Sequence, residues 1–245
     1  MVVVVVSADA VWTQLGQATH LTKLCIGFDK ALSVCAFLKD LAPLSSLNGL
    51  QWLTYRLGKM AAHVQDPDAS DAQFLSNLTA LKTLNGDIVV KAGMLEHISS
   101  CTALKSLHLH TTERVVSPSS SDWQALGQLV HLTKLYMSAN MMLLDTDMQL
   151  GHSALQRLTG LQQVTWRFTA AAVPTLAALT KLTSVNGSWV ARGQEWDGGV
   201  KCEQVVHVGD AGGVVPFKAF PNVEVVGLAR PLDTASWEAL GRWCP

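Results

Sequence analysis

His108 and His110 are separated by one leucine, so on an extended chain both imidazoles project to the same side. Two histidines so placed can ligate zinc, but such a site needs at least one further protein ligand. No third ligand is apparent beyond Asp87 on the neighbouring unit, and the pair reads as two surface histidines. Glu96 and His97 are adjacent, and neighbours on a helix do not face one another, so they make no acid–base pair. The five cysteines, Cys25, Cys35, Cys101, Cys202 and Cys244, are odd in number and form no Cys-x-x-Cys pair. They read as free thiols in a reducing compartment. Asn77-Leu78-Thr79 and Asn186-Gly187-Ser188 match the glycosylation sequon, and Ser117-Pro118 is a phosphorylation dipeptide. No phosphate-cradling glycine loop, nucleophile elbow or His-Glu-x-x-His helix occurs. The expectation is a protein that is not an enzyme, with no catalytic residue, metal, cofactor or small-molecule substrate.

The elements that position these residues follow from composition and spacing. Of 245 residues, 49% are hydrophobic and 15% charged, enough apolar content for one sizeable core. The 18 basic residues against 19 acidic ones give a net charge of -1, which argues against nucleic acid as a partner. No apolar run is long enough to span a bilayer, so no membrane insertion is expected. Met1 to Ala10 lacks the basic start of a secretory signal, and its five valines read as a strand.

The chain repeats itself. Trp12, Leu15, Gly16, Gln17, His20, Leu21, Thr22, Lys23 and Leu24 recur in the same spacing as Trp123, Leu126, Gly127, Gln128, His131, Leu132, Thr133, Lys134 and Leu135. The shared template is an apolar residue at every third position followed by a step of two. Its third apolar position, the anchor, falls on Leu21, Leu50, Leu81, Leu104, Leu132, Leu161, Leu182, Glu203 and Val223. The Glu203 unit breaks the pattern and reads as degenerate. Steps of three suit a helix or a 3₁₀ segment, and the closing step of two is strand alternation. Ser70 to Gln73 and Ser121 to Gln124 both read as capping boxes, each beginning eleven residues before its anchor.

The run from Leu126 to Met137, Leu-x-x-Leu-x-x-Leu-x-x-Leu-x-Met, resembles the leucine-rich repeat. The wording Trp-x-x-Leu-Gly-Gln-Leu-x-x-Leu-Thr-x-Leu looks like repeats found in large algal and protist sets. The resemblance covers Trp12 to Leu228 and implies an α/β solenoid. This is a horseshoe with parallel strands on the concave face and helices and 3₁₀ turns on the convex face. The family's asparagine after the strand is present only as Asn140, so the turns there should be less regular. The whole chain, 1–245, reads as one domain of about nine repeats. Half-units fall at 1–11 and 232–245, and irregular loops near 58–71, 111–122 and 187–199. Half-units at both ends suggest a segment of a longer array.

On such strands the leucines point inward and the intervening residues face the concave side. Two residues after the anchor that side carries Lys23, Trp52, Thr83, Ser106, Lys134, Gln163 and Ser184. Four after come Cys25, Thr54, Asn85, His108, Tyr136, Thr165, Asn186 and His207, and six after, Arg56, Asp87, His110 and Arg167 among others. Tryptophan, tyrosine and arginine are enriched at interface hot spots. The expected protein-binding patch is therefore Trp52, Arg56, His108, His110, Tyr136 and Arg167. The expected function is a cytoplasmic, non-catalytic module that binds a protein partner through this face. Two alternatives stand beside it: a structural spacer segment of a larger repeat protein, and a secreted or surface recognition protein; the alternative locations are cytoskeleton-associated or secreted.

Overall fold

A computed structural model describes residues 2–4, 9–27, 38–56, 69–86, 92–109, 118–137, 145–189, 199–213 and 217–228. Among them, ten strands form one parallel sheet in strict chain order. They are β1 (Val2–Val4), β2 (Lys23–Gly27), β3 (Trp52–Arg56), β4 (Thr83–Gly86) and β5 (Ser106–Leu109). The series continues with β6 (Lys134–Met137), β7 (Gln163–Phe168), β8 (Ser184–Trp189), β9 (His207–Gly213) and β10 (Val225–Leu228). Parallel neighbours need a crossover between them. The described crossovers hold α1 (Asp9–Gln17), α2 (Met94–Ser99), α3 (Ser120–Leu126), α4 (Asp145–Arg157) and α5 (Val173–Ala178). Others hold the 3₁₀ segments Leu38–Ser46, Ala69–Asn77, Ala170–Ala172 and Phe217–Ala219. From α1 to α5 each helical segment packs on the next in chain order, so they form a second layer beside the sheet. The architecture is a repeat-like, solenoid-like α/β sheet. No described helix is long and apolar enough to cross a membrane.

The spacing of three has a direct backbone cause. Leu47 N–H donates to Leu44 O at 3.0 Å and Leu50 N–H to Leu47 O at 2.9 Å. The same two bonds recur at Leu75, Leu78 and Leu81 and at Leu155, Leu158 and Leu161. Each turn thus closes over three residues and returns a leucine to the core. Leu44, Leu47, Leu50, Leu75, Leu78, Leu81, Leu155, Leu158 and Leu161 are all completely buried. Each such leucine contributes roughly 1.5–3 kcal/mol, and the core it joins is shared between stacked units. The following strand alternates as expected: in β2, Leu24 and Ile26 are buried while Lys23 is exposed.

A second repeated device joins the units. The Thr22 carbonyl accepts both Gln51 N–H and Trp52 N–H, at 2.8 and 3.1 Å. Gln51, Lys82, Lys105, Thr133, Gln162, Thr183 and Val206 each play the same part for the next unit. This ladder fixes the register and corrects the reading of the Glu203 unit. Val206 occupies the position just after an anchor, so the anchor is Val205, with Cys202 three before it and Val208 three after. All three are completely buried, whereas Glu203 is exposed. Consequently His207 pairs with Ser184, two residues past the anchor and not four. The crossover before it is longer by two residues, and Gln204 fills the slack. Its Nε2 donates to the Leu176 and Leu179 carbonyls at 2.9 and 3.2 Å.

Other expectations are corrected too. The capping box of α3 belongs to Ser119, whose Oγ accepts Asp122 N–H while the Asp122 carboxylate accepts Ser119 N–H. Ser121 lies inside the helix. Ser70 lies within the 3₁₀ segment Ala69–Asn77, so the end of the expected 58–71 loop is helical, as 120–122 is at the next. Residues 187–189 belong to β8, and Trp189 is buried between Phe168 and Phe220, at ring-centroid distances of 5.0 and 5.8 Å. Trp12 and Trp123, which share one position of the repeat, are both buried, the latter 5.4 Å from the Trp166 ring. The first strand is described over Val2–Val4 and pairs with β2. Residues 232–245, Asn140 and Trp196 lie outside the described residues.

Candidate protein-binding face

One face of the sheet packs against the helical layer through the residues that alternate inward. The other carries rows of side chains set by register. In one row Lys23, Trp52, Thr83, Ser106, Lys134, Gln163, Ser184 and His207 follow each other from β2 to β9. In the next, two residues on, stand Cys25, Thr54, Asn85, His108, Tyr136, Thr165 and Asn186. Neighbouring members of a row are about 4.8 Å apart along the sheet.

His108 and Tyr136 are direct neighbours on β5 and β6. Their rings stack with centroids 5.3 Å apart and planes inclined by 21°, and both side chains are partly exposed. Trp52 is 42% exposed, an unusual state for a tryptophan in a chain that buries Trp12, Trp123, Trp166 and Trp189. Its Nε1–H donates to Thr54 Oγ1 at 2.9 Å, which holds the ring against the sheet. The Lys23 ammonium lies 5.9 Å from the Trp52 ring centroid, within cation–π range. One strand, β4, lies between those of Trp52 and His108, which also stand in different rows, so the anticipated patch divides into a Trp52–Lys23 group and a His108–Tyr136 group. Arg167, partly buried, lies on β7 two residues beyond the row of Tyr136 and pairs in register with Ser188. Arg56 ends β3 opposite Gly27. His110 and Asp87 lie outside the described residues.

The lysines at the mouth of the sheet were not among the expected site residues. Lys82 and Lys105 each sit one residue after an anchor, where inward strand parity would bury them. They precede the strand proper, at its rim, and are exposed. Lys82 Nζ donates to Gln51 Oε1 at 3.0 Å along this rim row. The sequence signal was available: Lys82, Lys105 and Lys134 fall at the same end of three consecutive strands.

The described acidic side chains lie elsewhere. Among acidic side chains that are described, Asp71, Glu96 and Asp122 belong to the helical layer, and Glu203 and Glu224 to the β9–β10 end. Asp122 is completely buried and accepts Gly93 N–H at 2.8 Å, Leu95 N–H at 2.9 Å, and both Ser119 N–H and Ser119 Oγ–H. Of the two sequons, Asn186 lies within β8 with its amide donating to Ser184 Oγ, while Asn77 is exposed at the end of a 3₁₀ segment. An open depression of about 240 Å³ lies in the helical layer between Ser45, Ser70, Asp71 and Phe74, away from the sheet face.

Buried titratable groups complete the chemistry. Burial pushes the Cys101 and Cys202 thiols up to about 12. They remain neutral and donate to the Leu75 and Val173 carbonyls. Burial lowers His152, on α4, to about 4. Among the described residues no cluster of three histidine, cysteine or acidic side chains is arranged to hold a metal ion. No protein-family model matches the chain, and no curated protein shows significant similarity to it.

Proposed function

We propose that the chain is a leucine-rich repeat horseshoe that binds a protein partner, without catalysis, through the open face of its sheet as the concave surface. The repeated inward leucines and the regular ladder of doubly accepting carbonyls support the repeat assignment. The observation that carries the binding reading is the aromatic surface on this face: an exposed Trp52 and a stacked His108–Tyr136 pair. Rigid aromatic side chains supply contact area at low entropic cost and are the residue types that dominate interface energetics. Cys101 and Cys202, free and buried, suit a reducing compartment, so the proposed location is the cytoplasm.

The test is affinity capture from the native cell, comparing the wild-type chain with a Trp52→Ala/Tyr136→Ala variant. Both side chains reach the surface, so the variant keeps its core. Loss of one or more captured proteins supports the face as the binding surface, and an unchanged set contradicts it.

A further inference from the structure

We infer that the open sheet face takes an extended acidic segment of the partner protein, seated along a lysine row that crosses β2 to β6; this rests on the protein-binding reading above. Lys23 and Lys134 stand in one row with Trp52, Thr83 and Ser106 between them. Lys82 and Lys105 stand beside them on the rim, joined through the backbone, since Lys105 N–H donates to Lys82 O at 2.8 Å. All four lysines are exposed, and among the described residues no carboxylate pairs with any of them. From β2 to β8 the described side chains of this face and its rim include no aspartate or glutamate. The chain as a whole carries one more acidic than basic residue, so the separation of charge is local and not a consequence of composition.

Complementarity follows in size as well as sign. Five strands at about 4.8 Å spacing cover roughly 19 Å, the reach of about six extended residues. Carboxylates along such a segment meet lysines whose recorded contacts are uncharged: Lys82 Nζ donates to the Gln51 amide and Lys23 lies over the Trp52 ring. The His108–Tyr136 stack and the Trp52 ring border the row and offer apolar contact to the same segment. Nucleic acid fits less well, because its affinity rests on many phosphate contacts to a broad basic surface. Here the lysines lie along one rim, and the next row across the face holds the uncharged Thr54, Asn85, Thr165 and Asn186.

The probe is a fluorescein-labelled hexaglutamate peptide ending in phenylalanine, titrated with the full chain at low ionic strength and followed by anisotropy. The matching hexaglutamine peptide, a thymidine hexanucleotide and vesicles of phosphatidylserine and phosphatidylcholine are titrated in parallel. The glutamate peptide should bind at least about tenfold more tightly than the glutamine peptide and weaken as salt is raised. A Lys82→Gln/Lys105→Gln/Lys134→Gln variant should lose about tenfold, as three exposed ion pairs would give. The corresponding triple arginine variant should retain binding, which separates charge from folding. Equal binding of the two peptides, no loss in the glutamine variant, or equal or tighter binding of the oligonucleotide or the vesicles overturns the inference. If affinity capture still depends on Trp52 and Tyr136 while the glutamate peptide does not bind, the acidic segment fails and the binding module stands. If capture is also unchanged, both fall.

Discussion

The Asp122 carboxylate of α3 accepts the backbone N–H of Leu95, at the start of α2, at 2.9 Å in a fully buried setting. The same carboxylate takes Gly93 N–H and closes the capping box on Ser119. One side chain thereby satisfies donors at the ends of two neighbouring helices, which a helix must otherwise leave to water. Asp122→Ala strands those donors in the interior. It should cost about 3 kcal/mol, while Asp122→Asn should cost less, about 1–2 kcal/mol. Urea unfolding followed by circular dichroism measures both, and a loss below about 1 kcal/mol for the alanine variant would contradict the assigned role.

Gly187 has a φ of 138°, and a Cβ placed there would run into the Trp166 backbone carbonyl of the neighbouring strand. The register shift between β8 and β9 occurs at this point. Gly187→Ala should therefore destabilise by about 3 kcal/mol or more, since neither the backbone conformation nor the space suits a side chain. The thermal midpoint should fall by several degrees, and Gly27→Ala, where a Cβ meets nothing within 4 Å, serves as the control.

Much of this fold is legible in the sequence, and the exceptions have physical causes. The leucine steps of three reveal the turns because each step is one backbone hydrogen bond, and the strands follow from the step of two. At Glu203 the same rule misplaces the anchor by two residues. The turn itself is kept there, Val205 N–H donating to Cys202 O at 3.3 Å, and Gln204 ties it to the preceding unit through its side-chain amide, which residue spacing does not encode. The capping box is misplaced because Ser119, Ser120 and Ser121 are locally equivalent. Asp122 selects Ser119 through its long-range bonds to α2. The aromatic part of the candidate face is readable from strand parity, whereas Lys82 and Lys105 escape it because they stand at the rim, before the pleat begins.

Cys101 and Cys202 should be chemically silent in the folded protein. Burial holds both thiols up to about 12, and the thiolate is the reactive form. Iodoacetamide at neutral pH followed by mass spectrometry should leave both unmodified until the chain is unfolded. The partly exposed Cys25 should label first of these three. Early labelling of Cys101 or Cys202 would show that the core opens locally.

His152 makes stability depend on pH. Its folded value is lowered to about 4 by burial, and among the described residues nothing bonds its Nε2. An unfolded histidine binds its proton near pH 6.5, so below that the unfolded state holds more protons than the folded one. Stability should be full above about pH 6.5 and fall by at most about 1.4 kcal/mol per pH unit down to about pH 4. A His152→Phe variant should lack this component, and urea midpoints for the two proteins across pH 7.5 to 4.5 compare them. Parallel slopes would contradict the buried neutral histidine.

The central claim is that the open sheet face meets the partner. Photo-crosslinking tests it most directly, with p-benzoylphenylalanine placed at Tyr136 on the face or at Gln73, which is exposed on the helical layer. Irradiation in the native cell should yield a partner adduct from position 136 and none of that mass from position 73. An adduct from position 73 alone would place the interface on the helical layer and contradict the account.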